Sequence, residues 1–181
     1  MANRWIVTAL GQDRPGIVAG VTRALYKLGC NLEDSAMTRL EGEFAIMLIF
    51  SCAVSVKEAV LRRAFAPLER GRRLVVHLKA LKPTETRTPR RRGQPYVLSV
   101  YGGDKPGIVY QVSALLAQGG VNITDVHTHR SGGGPPWLYL MILELEVPPK
   151  QKLDGLERRL KQLGRKLSVQ VSLRPAEIEV L

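Results

Sequence analysis

Gly11-Gln12-Asp13-Arg14-Pro15-Gly16-Ile17-Val18 is met again 91 residues further on as Gly102-Gly103-Asp104-Lys105-Pro106-Gly107-Ile108-Val109. At the same offset Gly29-Cys30-Asn31-Leu32 matches Gly120-Val121-Asn122-Ile123, Asp34 matches Asp125, and Arg39 matches Arg130. A register held over that length without a gap marks an internal repeat. It slips only after the shared arginine, where the first copy has Leu40-Glu41-Gly42 and the second has Ser131-Gly132-Gly133-Gly134-Pro135-Pro136. Length variation of this kind belongs at an exposed hairpin tip.

Each copy reads as the same string of elements. Residues 5–10 and 96–101 are β-branched and aromatic-rich, as strands are. Ile17, Val21, Ala24 and Leu28 then recur at helical spacing, and Ile108, Val112, Leu115 and Leu116 do the same in the second copy. Gly29 and Gly119-Gly120 stop these helices. Hairpins are expected over 31–39 with 44–50, and over 122–130 with 137–147. Second helices are expected over 56–69 and 149–163, and closing strands over 74–81 and 167–173. The order βαββαβ predicts an α+β protein of two ferredoxin-like modules. Each module is small, with a sheet face left to cover, so the pair is expected to form a pseudo-dimer. The expected domains are residues 1–81 and 96–181, joined by a Pro- and Arg-rich linker over 82–95.

Composition bounds the function. With 181 residues, 45% hydrophobic and 24% charged, the chain is globular rather than disordered. Its longest apolar run, residues 45–50, is far short of the ~18 residues that span a bilayer. No apolar leader with a cleavage site follows Met1, so a cytoplasmic protein is expected. Cys30 and Cys52 lack CxxC spacing and are expected to be buried thiols in a reducing compartment, with a disulfide or a catalytic role as the lesser alternatives. The net charge of +11 is concentrated in Lys82, Arg87 and Arg90-Arg91-Arg92 and in two helices, around residues 62–73 and 158–166. Solvated faces and a stretched linker account for it, and nucleic-acid binding through the same residues is the alternative.

The repeated loop carries the chemistry. Proline suits the first turn of a helix, since its φ is set and it has no N–H to leave unpaired. Gly16 and Ile17 then offer backbone N–H groups at the positive end of the helix, which suits a carboxylate. Asp13 is placed to accept from an ammonium group. Asn31, on a strand expected to lie beside the first, adds an acceptor and donors. These groups match the two charges of an amino-acid zwitterion. A plainer reading is equally open: Asp13 a helix-start cap, Pro15-Gly16 a turn, Asn31 a strand-start hydrogen-bonder.

Across these residues the chain resembles the ACT domain family, regulatory modules attached to enzymes of amino-acid metabolism, and within it the tandem-ACT glycine cleavage system repressor group. The similarity runs through both copies. It implies an amino-acid-sensing regulator, not an enzyme, that binds a small effector such as glycine or serine at module interfaces. It also implies a protein partner, a transcription activator or metabolic enzyme, and homodimerisation is expected to cover open sheet edges. The positions implied for the ligand are Gly11, Asp13, Arg14, Pro15, Gly16, Ile17 and Asn31, with Gly102, Asp104, Lys105, Pro106, Gly107, Ile108 and Asn122.

Other constellations carry less. His127 and His129 share a strand face but lack a third ligand, so no metal or other cofactor is expected. They either stand alone or border the ligand pocket of the second copy. No Ser-His-Asp or Cys-His set has a catalytic context. Trp5 and Trp137 are expected to pack within strands.

Overall fold

A computed structural model describes residues 3–53, 56–82 and 93–176. The chain divides into two compact units, Met1–Thr88 and Pro89–Leu181. The first contains β1 (Asn3–Gln12), α1 (Ile17–Tyr26), β2 (Asn31–Leu40), β3 (Glu43–Cys52), α2 (Glu58–Arg72) and β4 (Val75–Leu81). The second contains β5 (Gln94–Gly103), α3 (Ile108–Gln118), β6 (Asn122–Ser131), β7 (Leu138–Val147), α4 (Leu153–Leu167) and β8 (Val169–Pro175). Their sheets run β2-β3-β1-β4 and β6-β7-β5-β8, antiparallel throughout. This is the ferredoxin-like arrangement, twice. Most of the expected linker lies outside the described residues, and β5 begins at Gln94, inside its expected end.

Alternation along the central strands sets each core. Trp5, Val7 and Ala9 of β1 and every second residue of β3 from Phe44 to Cys52 are buried. Ile17, Val21 and Leu25 of α1 and Leu61 and Phe65 of α2 close over them. Leu98, Val100, Met141, Leu143 and Leu145 do the same under α3 and α4. The edge strand β2 is exposed at every position. It lies against β3 and not, as expected from the sequence, beside β1.

Helix ends follow local chemistry, with two corrections. Gly29 and Gly120 adopt φ of 65° and 67°. The N–H of Cys30 reaches the Leu25 carbonyl and that of Gly29 the Tyr26 carbonyl, the paired bonds of a Schellman stop. Val121 and Gly120 repeat them on Leu116 and Ala117. At the other end α1 starts at Ile17, with left-handed Gly16 as its N-cap, so Pro15 precedes the helix rather than opening its first turn. Helix α2 runs to Arg72, past the expected stop at 69, and ends at left-handed Arg73, φ 53°; it tolerates Pro67 on its solvent side, where water can take the carbonyl its missing N–H leaves.

The two cysteines are not free thiols. Cys30 and Cys52 are joined in a disulfide across 22 residues, tying the end of the α1 turn to the end of β3. In the second unit the corresponding residues are Val121 and Val147, both buried. Apolar surroundings were legible in the sequence; the proximity came from β2 and β3 pairing.

The first unit also has an ion pair that the second cannot form, since Pro95 and Thr124 stand at the matching positions. β2 bulges between Leu32 and Asp34. Glu33, the residue in the bulge, receives Arg4 Nε at 2.7 Å and Arg4 Nη2 at 2.5 Å. The Arg4 hydrogen bond holds the Glu33 carboxyl below its ordinary 4.5, against a smaller opposing effect of burial. A depressed carboxylate stabilises above its unfolded value, and that contribution is lost as pH falls below 4.5. Both partners are partly exposed, so Glu33→Gln should cost only about 0.5 kcal/mol at neutral pH. Urea midpoints of variant and wild type should converge as the solution is acidified.

Candidate functional site

The loop after β1 is built from both ends. The Asp13 N–H donates to the Gly42 carbonyl at 2.8 Å, fastening the loop to the β2–β3 turn. The Ile17 side chain is buried in the core, so Ile17 contributes only backbone to the loop surface. Its N–H turns back to the Arg14 carbonyl at 3.4 Å, and the helix ladder begins with Gly20 on Gly16 at 2.9 Å. Left-handed Gly16, φ 84°, makes that turn possible without a side-chain penalty. The first turn of α1 is the positive end of that helix.

An open depression of about 810 Å³ lies over this helix end. Asp13, Arg14, Pro15, Gly16 and Ile17 line one side, and Met37, Arg39 and Phe44 the other. Arg39 is the residue that sequence reasoning missed. It pairs with Phe44, which pairs with Gly11, so the register carries it to the loop. Its Nη1 lies 3.3 Å from Asp13 Oδ2. Arg14 turns to Gln12, Nη2 to Oε1 at 2.7 Å. The signal was present in the sequence, because Arg39 and Arg130 are the shared pair at which the repeat slips.

The second unit repeats the construction with different partners. The Asp104 N–H donates to the Trp137 carbonyl at 2.9 Å, and Gly107 is left-handed at φ 92° before the buried Ile108. Arg130 Nη1 stands 3.8 Å from Asp104 Oδ2, with its guanidinium 4.8 Å from the Trp137 ring centre. Trp137 therefore lies outside β7 and holds an arginine, rather than packing within a strand. Lys105, preceding Pro106, reaches the Leu167 carbonyl at 3.4 Å, at the negative end of α4, whereas Arg14 stays with its own loop.

Two sets of expected residues are placed differently by the fold. Asn31 pairs with Ser51 opposite Arg4, and Asn122 with Glu146 opposite Pro95. Arg4 is eight positions before Gln12 on β1, so Asn31 stands at the far end of the sheet, about 26 Å from the loop of its own module. It lines a second depression of about 510 Å³ at the other end of α1. The two hollows share Ala19 and Thr22 and thus lie end to end along that helix. Gly11 and Gly102 serve packing. A Cβ on Gly11 would stand 2.9 Å from Leu74 Cδ2, and one on Gly102 would stand 2.9 Å from Val169 Cα. Each glycine lets the chain leaving the second helix cross close to the first strand.

His127 and His129 pair with Ile142 and Leu140, on the sheet face away from the helices, so they do not border the loop. His127 Nε2 is 2.9 Å from Asp125 Oδ2. Among the described residues no group of three or more His, Cys, Asp or Glu is placed to hold a metal ion. No helix among them is long and apolar enough to cross a membrane. The Arg90-Arg91-Arg92 run, on which the nucleic-acid alternative rested, lies outside them.

Two ferredoxin-like modules with matching loops define a tandem-module protein, and comparison with known proteins gives the family. The ACT domain model matches residues 3–70 and 94–174. The chain belongs to the ACT domain family. It is 32% identical over 128 residues, 67% of this chain, to the glycine cleavage system transcriptional repressor of Escherichia coli K12. The chain spans 62% of that relative's length. A 60-residue stretch is 42% identical to a UPF0237 protein of Streptococcus mutans, covering 33% of this chain and 68% of that one. An uncharacterised protein of Galdieria sulphuraria shares the fold over 98% of this chain and all of that one, with a TM-score of 0.81 and 24% identity. A candidate glycine cleavage system transcriptional repressor does so over 98% and 99%, with a TM-score of 0.70 and 22% identity.

Proposed function

We propose that the chain is a cytoplasmic amino-acid sensor of the glycine cleavage repressor kind, binding a small amino acid such as glycine or serine and passing its state to a protein partner. The partner is a transcription activator or an enzyme of amino-acid metabolism. One observation carries the reading: in both units an Asp–Arg pair stands beside the N-terminus of a helix capped by a left-handed glycine. The two charges of a zwitterion fit between them, with ammonium on Asp13 or Asp104 and carboxylate on the arginine and helix end. The exposed pairs are weak and exchange readily. Because Asn31 is remote from its own loop, its contribution is assigned to a loop of another copy of the chain. A homodimer pairing exposed β2 edges antiparallel would bring the two together.

Calorimetric titration of the full chain with the twenty amino acids tests this. Binding should be selective for small amino acids, and Asp13→Asn with Asp104→Asn together should weaken it by about tenfold or more. Absence of binding at millimolar ligand, or binding indifferent to the double substitution, defeats the reading.

A further inference from the structure

The two loops share their charged groups but not their floors. In the first unit Phe44, opposite Gly11 and Arg39, and Met37, two residues before Arg39, make the sheet side of the depression apolar. The same register in the second unit places Tyr139 opposite Gly102 and Arg130, and Thr128 two residues before Arg130. A phenol replaces a phenyl ring and a hydroxyl replaces a thioether. Thr128 lies near enough to Tyr139 to act on its hydroxyl. Burial, reinforced by the Asp104 carboxylate, raises its hydroxyl above 10, so it remains a protonated donor through the physiological range.

We infer that the two units select different amino-acid side chains: the first a hydrogen or small apolar group, the second a hydroxyl. This rests on the proposed amino-acid site and assigns each loop its ligand class. The physical reason is hydrogen-bond satisfaction. The Phe44 and Met37 floor itself offers a ligand hydroxyl no hydrogen-bond partner. Over Tyr139 and Thr128 that hydroxyl joins an existing pair of donors and acceptors, which an apolar group would leave unfilled. Discrimination is therefore stronger at the second loop, since a site built to bond a hydroxyl rejects its absence more sharply than an apolar site rejects its presence.

L-serine and L-2-aminobutyrate, equal in shape and differing by a hydroxyl for a methyl, are the probes. Asp104→Asn in the full chain leaves the first loop to report, and Asp13→Asn leaves the second. Calorimetry should show the Asp104→Asn protein favouring 2-aminobutyrate by a few-fold and the Asp13→Asn protein favouring serine by about tenfold. Adding Tyr139→Phe and Thr128→Met to Asp13→Asn should erase the serine preference. Thr128 is exposed and Tyr139→Phe removes a single oxygen, so folding is retained; the exposed Met37→Thr in the Asp104→Asn protein is the reciprocal check, raising serine affinity. The same preference at both loops, or a serine preference that survives the floor substitutions, overturns the inference while leaving amino-acid binding intact. Binding of both probes unaffected by either aspartate substitution overturns the site itself.

Discussion

Gly102→Ala should destabilise the second unit by about 2 kcal/mol, and Gly102→Val by about 3, the range for forcing atoms into a filled site. The added Cβ would stand 2.8 Å from Val169 Cγ1, 2.9 Å from Val169 Cα and 3.0 Å from the Ser168 carbonyl oxygen. Two of those three atoms are backbone and cannot swing aside. They also belong to a constrained turn, because Ser168 is a non-glycine residue at φ 59°, ending α4 as it enters β8. At the neighbouring Gly103 a Cβ would meet no atom within 4 Å, so Gly103→Ala should be neutral to within about 0.5 kcal/mol. For a unit of this size the Gly102→Ala loss corresponds to a melting shift of roughly 10 °C. Gly11→Ala should be milder, since its tightest neighbour, Leu74 Cδ2, is the end of a flexible side chain. Calorimetric melting of the four variants orders them. If Gly102→Ala melts with the wild type and loses only ligand affinity, the glycine belongs to the binding site after all.

Reduction of Cys30–Cys52 should lower the stability of the first unit by about 3 kcal/mol, the loop-closure contribution expected for a 22-residue separation. The second unit, which contains no cysteine, should be unaffected. Cys30→Val with Cys52→Val copies Val121 and Val147 of the second unit, both of which are buried. That double variant should pack without a cavity and still melt below the oxidised wild type, separating the cross-link from the packing. Cys52→Ser alone should be worse, because Cys52 is 2% exposed and a hydroxyl there lacks water. A reducing agent that leaves the unfolding transition of the first unit in place would show that packing, not the bond, holds this corner together.

Duplication helps explain what could be read in advance. Strand and helix types came from periods of two and 3.6, and the repeat removed the ambiguity of short apolar runs by showing each twice. Boundaries drifted by a few residues: α2 spans Glu58–Arg72 where 56–69 is expected, and α4 spans Leu153–Leu167 where 149–163 is expected. Of the loop residues, Asp13 lines the depression over α1, and Asp104 stands beside Arg130. Gly11 and Gly102 carry a signature of the same strength but serve packing, because a glycine needed for a close backbone crossing and one needed for ligand approach look identical in a sequence.

The sequence by itself determined the repeated loop, its aspartates and the βαββαβ order, because these depend on residues adjacent in the chain. The tertiary structure alone decided which distant residues share the loop's space. Helix α1 returns the chain so that β2 runs in the direction of β1, which puts Asn31 at the far end of the sheet, and the pairing of β2 with β3 brings Cys30 to Cys52. Cross-strand register brought Arg39 and Phe44 to Asp13, and Arg130 and Tyr139 to Asp104. Those pairings are fixed by burying the alternate residues of β3 and β7, a constraint no local spacing expresses.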